Sequence, residues 1–383
     1  MKGLREVTVF TNGDSSQLST WSNVPYLFTQ TLITKGIKVN RVDLTPDPSL
    51  KNIWDKTMGR IARRLVNKRT NFEYFRSRKH FKNVQARIKK AINDHPKTDV
   101  FIFLTFSFSA SGLTKKPVVL FGDWTYDYYL DYYENRRPDI LERQSIKREN
   151  LVIEKADLVL PLFPGIAALM KKKYSNKNIQ YLGNVINAIN TISEAKALQA
   201  KANSSEILFA GSRKYIAGAL SLISAFENLK KQYPLLKLHI VGINKTEIEK
   251  TLPADVICYG YLDKGNDKER ELYYDIFKKA KLFINTTPKW GAFSATIEAM
   301  FFYNPIIVMP YAEFVETFGK QINFGVYCEE NIPENIVKCI KQIFDHADYN
   351  SLCINSSMAV REYSWSAYID KVIAQIKALQ GQT

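Results

Sequence analysis

The sequence predicts an α/β protein of two doubly wound, parallel-sheet domains of similar size facing each other across a cleft. Three observations predict it. Apolar runs of strand length alternate with stretches of helical length and periodicity along most of the chain. Some of those runs, at 100–105 and 118–121, are continuously apolar, as strands buried on both faces are. The alternation breaks at 187–205, which is rich in Ala, Asn, Ser and Lys, and then restarts. A length of 383 residues suits two domains at roughly 150 residues each.

Element by element, residues 7–11 read as a strand ending in the polar loop Asn12-Gly13-Asp14-Ser15-Ser16. A helix over 24–35 stops at Gly36, and 37–44 alternates as a strand. The basic stretch that follows reads as one or two helices. Strands at 100–105 and 118–121, a helix over 139–155, a strand at 158–162 and a helix over 165–173 complete the first half. The second half gives strands at 207–209, 236–241, 256–259, 282–284 and 306–308. Helices are expected between them at 219–232, 246–250, 269–279 and 295–302. Residues 361–380 read as an amphipathic helix. The expected division is therefore 1–190, 191–360 and a terminal segment 361–383.

Composition narrows the function classes. With 45% hydrophobic and 24% charged residues, the chain is globular and neither disordered nor low-complexity. No apolar run approaches the roughly 20 residues of a membrane-spanning helix, and the first residues have no signal-peptide pattern. Four scattered cysteines form no CxxC pair, which points to a reduced, cytoplasmic protein without a cysteine metal site. The net charge of +16 is lopsided. Residues 1–200 hold 33 Lys and Arg against 18 Asp and Glu, whereas 201–383 hold 21 against 20. Between Lys56 and Lys90, 13 basic residues face one acid, Glu73, with Phe72, Tyr74, Phe75 and Phe81 interleaved and Trp54 just before them. Such a patch calls for an anionic partner: nucleic acid, a membrane surface or a phosphorylated substrate.

Two motifs can carry chemistry, and each follows an expected strand. In Phe209-Ala210-Gly211-Ser212-Arg213-Lys214 a glycine permits a tight turn, and a hydroxyl and two cations follow. That is a cradle for a diphosphate, or a solvated surface turn. GxGxxG and GxxxxGK[ST] are both absent, which disfavours nicotinamide binding and P-loop hydrolysis. In the stretch from Asn285 to Met300, a loop with hydroxyls and Gly291 opens a helix whose N-terminal N–H groups suit an anion. Glu298 falls one turn into that helix. Its carboxylate can accept two hydrogen bonds from a vicinal diol such as a ribose, or can simply favour the helix dipole.

The second half resembles the donor-binding domain of retaining, nucleotide-sugar-dependent glycosyltransferases of family 4, which have the GT-B fold. The matching stretches are FAGS at 209–212, LHIVG at 238–242, YGYL at 259–262, AKLFINTTP at 280–288, WGAFSATIEAM at 290–300 and PIIVMP at 305–310. The resemblance implies that Glu298 grips the nucleotide ribose. It also implies that Gly291, Phe293, Ser294 and Ala295 form the loop whose backbone meets the donor's phosphate and sugar. Trp290 stands where the family has a first glutamate that touches the transferred sugar. Ala217-Gly218 occupies the place of the family's Lys-Gly phosphate clamp, with Arg213 and Lys214 as nearby replacements for its cations. Gly13, Gly211 and Ser212 complete the expected donor set.

In the first half, Phe121-Gly122-Asp123-Trp124-Thr125 lies where many family members place a histidine that contacts donor or acceptor sugar; here Asp123 stands there. It can hold sugar hydroxyls, act as a base, or cap the next helix. A tyrosine- and aspartate-rich run, 126–133, suits stacking on sugars, although helical spacing must turn about half of it inward. The expected acceptor set is Asp14, Ser15, Asp123, Trp124 and Tyr126. The expected catalytic set is Asp123, Arg213 and Lys214, with Arg213 and Lys214 stabilising the leaving diphosphate.

No metal and no cofactor are expected; the nucleotide-sugar is a substrate. The resemblance implies retention of configuration and a glycan or lipid-linked acceptor at the cytoplasmic membrane face. Arg60, Arg63, Arg64, Lys68 and Arg69 would then dock on anionic lipid. Nucleic acid is not the expected partner, because no helix-turn-helix, RNP or zinc signature is present. The alternatives are a basic nucleic-acid-binding protein, or an inactive glycosyltransferase-like scaffold, which Trp290 motivates.

Overall fold

The computed structural model describes residues 3–248, 251–288 and 293–381. They form two units. One joins the chain up to Asn184 with the segment from Trp365 onward, and the other is Val185–Ser364.

The first unit holds five parallel strands: β1 (Glu6–Thr11), β2 (Lys38–Asp43), β3 (Val100–Phe103), β4 (Val118–Gly122) and β5 (Leu158–Pro161). Their order is β2-β1-β3-β4-β5. Every residue of β1, β3, β4 and β5 is buried, which explains the apolar runs of β3, β4 and β5, whereas β2 is a half-exposed edge. The winding reverses between β1 and β3, so the crevice beyond their carboxyl ends is the natural ligand position. Helix Val24–Thr34 starts with Pro25 in its first turn and stops at Gly36, whose φ of +78° supplies the left-handed cap. Helix Ile140–Lys155 is fixed by a capping box between Asp139 and Glu142. The last helix, Trp365–Gly381, belongs to this unit: Trp365 packs edge-on to Phe28, and Asp370 pairs with Lys35 at 2.7 Å.

The basic stretch folds into helices Met58–Leu65 and Arg78–Asp94, with helix Pro48–Lys56 before them. Its interleaved aromatics pack on one another and on neighbouring rings, with Tyr74 buried and the others half-exposed. Trp54 packs on Phe72 and Tyr74, and Phe75 sits edge-on to Phe108. His80 lies among Tyr74, Phe75 and Phe108, where burial lowers its pKa to about 4 and leaves the ring uncharged at neutral pH.

The second unit holds β6 (Glu206–Ala210), β7 (Lys237–Val241), β8 (Val256–Gly260), β9 (Leu282–Asn285), β10 (Ile306–Val308) and β11 (Gly325–Tyr327). They are parallel in the order β11-β10-β9-β6-β7-β8. The reversal falls between β6 and β9, the two strands that the motifs follow. The core joins Ile207, Phe209, Leu222, Phe226, Leu238, Ile240, Leu282 and Ile284 with Ile336 and Ile340 of helix Pro333–Phe344.

The 187–205 stretch, read as a plain boundary, contains helix Glu194–Ala202. Ala197 and Lys201, four residues apart on one face, are both fully buried. The Lys201 amine donates to the carbonyls of Lys278 (3.1 Å) and Ala280 (2.8 Å) and to Asn304 Oδ1 (2.8 Å). It thereby serves the orphan carbonyls at the end of helix Asp267–Lys279. Of the helix expected at 246–250, the described residues form a single capped turn, Lys245–Glu247, and 249–250 lie outside the described residues.

Candidate active site

In the second unit, the turn after β6 is crowded on every side. Gly211 N–H donates to the Val241 carbonyl at 2.9 Å. A Cβ on Gly211 would lie 3.0 Å from the Tyr215 ring and 3.2 Å from Asn285 Nδ2. Gly242 faces it with φ +94°, and a Cβ there would meet the Gly211 carbonyl oxygen at 2.5 Å. Ser212, Arg213 and Lys214 are exposed; Arg213 has 79% of its side chain open and lies 4.0 Å from Glu247.

The loop after β9 locks onto this turn. Asn285 Oδ1 accepts from Thr287 N–H at 3.1 Å, and the Thr287 hydroxyl donates to the Tyr215 carbonyl at 3.2 Å. Gly218 is buried under it, where a Cβ would meet Thr287 Oγ1 at 2.6 Å. The fold thus brings Gly211 and the start of helix Ile216–Gln232 against Asn285 and Thr287.

Trp290 and Gly291 lie outside the described residues. Phe293 is buried among Phe314, Phe318 and Tyr311, so its side chain anchors the start of helix Ser294–Phe301. Ser294 and Ala295 are half-exposed on the first turn, whose N–H groups have no intrahelical acceptors.

Glu298 is only 3% exposed and is already held. Its Oε1 accepts from the Lys264 amine at 2.6 Å and its Oε2 from the Tyr273 hydroxyl at 3.0 Å. The Lys264 amine sits 4.1 Å from the centre of the Tyr273 ring. Burial and the Glu298 carboxylate hold the Tyr273 phenol well above its usual pKa, so it stays a donor. An ionised carboxylate has about four acceptor positions, so this pair of bonds leaves capacity for a diol. Lys264 and Tyr273 were not legible as site residues.

In the first unit, a cavity of about 400 Å³ opens at the carboxyl ends of β1, β3 and β4. Asn12, Trp21, Arg76, Phe106, Asp123 and Trp124 are on its wall. Asp123 Oδ1 accepts from Trp124 N–H at 2.8 Å. Arg76 donates to Glu149 (3.1 Å) and to Ser107 (2.9 Å), and its guanidinium stacks 3.9 Å from the centre of the Tyr126 ring. Arg76, counted in sequence only as one cation of the basic stretch, therefore belongs to this wall.

The first loop supplies Asn12 to the cavity, while Gly13, Asp14 and Ser15 shape the turn beyond it. Gly13 has φ +114° and its N–H donates to Asp43 Oδ1 at 3.0 Å. Asp14 is exposed and accepts from the Ser16 N–H and hydroxyl, which hold its carboxyl below the usual range. Ser15 is buried, and its hydroxyl has no partner among the described residues. Tyr126, expected at the acceptor, is turned into the core. Its hydroxyl donates to the Asn71 carbonyl at 2.9 Å and its N–H to Glu149. Trp124 instead meets the edges or faces of Tyr128, Tyr129, Tyr132 and Tyr133 at 5.5–6.3 Å.

Arg60, Arg63, Arg64, Lys68 and Arg69 are all exposed. Arg69 donates to the Glu134 carbonyl at 2.8 Å. Between and beside them Ile53, Met58, Ile61, Leu65 and Val66 are exposed too, Leu65 at 76%. No helix among the described residues is long and apolar enough to cross a membrane. Nor does any group of three or more His, Cys, Asp or Glu among them have the placement to hold a metal ion.

Residues 204–346 match the family described as "Glycosyl transferases group 1". The search of curated proteins finds no match. Among solved structures, sucrose-phosphate synthase from Thermosynechococcus elongatus is similar at a TM-score of 0.66 and 14% identity, covering 99% of this chain and 100% of that one. A glycosyltransferase from Rickettsia africae is similar at 0.64 and 13%, covering 100% of both chains. Anabaena HepE, in complex with UDP and glucose, is similar at 0.62 and 12%, covering 97% and 99%. The two parallel-sheet units and these neighbours define a GT-B fold, and the family match over the second unit supports glycosyltransferase activity. A nucleic-acid-binding role is not favoured.

Proposed function

We propose that the protein transfers a sugar from a nucleotide-sugar, with retention of configuration and without a metal, to a glycan or lipid-linked acceptor at the cytoplasmic membrane face. The observation that carries this reading is Glu298, a buried, paired carboxylate one turn into a helix that follows a strand at the reversal point of the second sheet. Glu298 would hold the ribose. The N–H groups of Ser294 and Ala295, with Arg213 and Lys214, would stabilise the charge growing on the leaving diphosphate. The aromatic, carboxylate-bearing cavity at Asp123 and Trp124 suits sugar hydroxyls and ring faces. HepE with UDP-glucose and Staphylococcus aureus MnaA with UDP, both of this fold, support a UDP-type donor.

A thermal-shift screen against nucleoside diphosphates and their sugars, with and without divalent metal, tests the donor reading. Ligand at a hundred times its dissociation constant adds about 2.7 kcal/mol of stability. Metal-independent stabilisation by one nucleotide, followed by transfer to a lipid-linked acceptor, is the expected result. Silence from every nucleotide would refute it.

The cationic helices support the membrane part. Exposed Ile61 and Leu65 beside Arg60, Arg63 and Arg64 make a face for an anionic interface. Each cation near such a surface is worth about 1 kcal/mol, so neutralising these three arginines should weaken binding to anionic vesicles about 100-fold. Sedimentation that stays unchanged in that variant would remove the membrane assignment.

A further inference from the structure

A second cavity in the first unit has no part in the chemistry above. It is a groove of about 710 Å³, the size of a site for a bound small molecule, which typically spans about 300–1,000 Å³. It lies between the turns at Tyr126–Tyr133, helix Ile140–Lys155 and helix Pro164–Lys173. Tyr128, Ile146, Ile166, Leu169, Met170 and Tyr174 give it an apolar lining, and Leu169 stands 46% exposed within it. Arg143, Lys147 and Lys172 also line it, are exposed, and form no ion pair among the described residues. Of its two aspartates, Asp127 is neutralised by Lys173, and Asp131 is exposed.

We infer that this groove takes the hydrocarbon chain of a single-chain lipid phosphate, with the phosphate against Arg143, Lys147 and Lys172. The inference rests on the lipid-linked acceptor proposed above and gives that lipid a place. Charge complementarity and continuity both support it. An apolar trough with unpaired cations along it matches an amphiphile with one anionic head. The chain from Asp123 to Asp131 walls both cavities: Asp123 and Trp124 face the sugar-type cavity, whereas Thr125, Asp127, Tyr128 and Asp131 face the groove. Trp124 and Tyr128 touch edge to face at 5.5 Å, so head and chain of one acceptor need cross only that pair of rings.

Titration calorimetry of the full chain with farnesyl phosphate below its micelle limit, without vesicles or nucleotide, tests this. Farnesol and inorganic phosphate are the controls. Saturable one-to-one binding is expected, at least tenfold weaker for both controls. L169E should weaken it at least tenfold by placing a carboxylate in the trough. A combined R143E/K147E/K172E variant should remove the preference for farnesyl phosphate over farnesol. All these positions are exposed or at the rim, and an unchanged melting temperature checks the fold. Absence of saturable binding, equal binding of inorganic phosphate, or unchanged affinity in both variants would overturn the assignment. Farnesyl phosphate binding in a chain that ignores every nucleotide would leave the groove standing and reject the donor reading, so the two failures are distinct.

Discussion

Glu298→Ala is expected to weaken nucleoside diphosphate binding by about a hundredfold or more. Two hydrogen bonds from a ribose diol to an ionised acceptor are worth about 1.5–3 kcal/mol each, and both go with the carboxylate. The same change strands the Lys264 amine, now buried without its counter-charge, and breaking such a pair costs about 3–5 kcal/mol. Lost binding could then reflect lost structure. A second variant, Glu298→Gln with Lys264→Met, separates the two effects: it removes both charges, keeps the volume and leaves an amide oxygen for the Tyr273 hydroxyl. Its stability should return towards that of the parent while its nucleotide affinity stays low. Titration calorimetry with UDP, beside urea unfolding, reads both quantities. Full affinity in Glu298→Ala would mean that the ribose lies elsewhere.

Lys201→Met should cost about 3–5 kcal/mol of stability, a large loss for a single change away from the sites. Methionine fills the space but donates nothing, so the carbonyls of Lys278 and Ala280 and the Asn304 side-chain oxygen lose a buried donor. For a unit of this size that is a fall of about 10 °C in melting temperature. The pH dependence carries its own signature. Burial pulls the Lys201 pKa down to about 7 from its usual 10.5. Between those values the unfolded chain binds the extra proton, so stability rises with pH across that window and is lost as pH falls through about 7. The slope approaches about 1.4 kcal/mol per pH unit. Unfolding midpoints measured from pH 6 to 9 should show that rise in the parent and a flatter profile in Lys201→Met. A variant as stable as the parent at every pH would refute the role.

The alternation of buried strands and helices was legible in the sequence because parallel strands in a doubly wound sheet are largely apolar, as β3 is throughout and β9 is up to Asn285. The glycine turn and the Asn285–Thr287 loop were legible as separate motifs. Their mutual contact was not, since it depends on Gly218 being buried beneath Thr287, a fact of packing. Glu298 was found by its place in a helix. Its partners Lys264 and Tyr273, 34 and 25 residues away, obey no spacing rule. Among the aromatics, composition could not tell the inward from the outward. Tyr126 went into the core and Trp54 packed half-buried on Tyr74, whereas the aliphatic Ile61 and Leu65, which drew no notice in the sequence, stayed out.

The helix Trp365–Gly381 has a consequence for biogenesis. It covers Phe28 and Phe121, aromatics of the first unit that are synthesised some 240 to 340 residues earlier. Domains generally condense in the order in which the ribosome delivers them. Here Val185–Ser364 is a contiguous stretch and can close as soon as it emerges. The earlier unit must wait with an apolar face uncovered until the last helix leaves the ribosome, so the half that is made first is the half that is finished last.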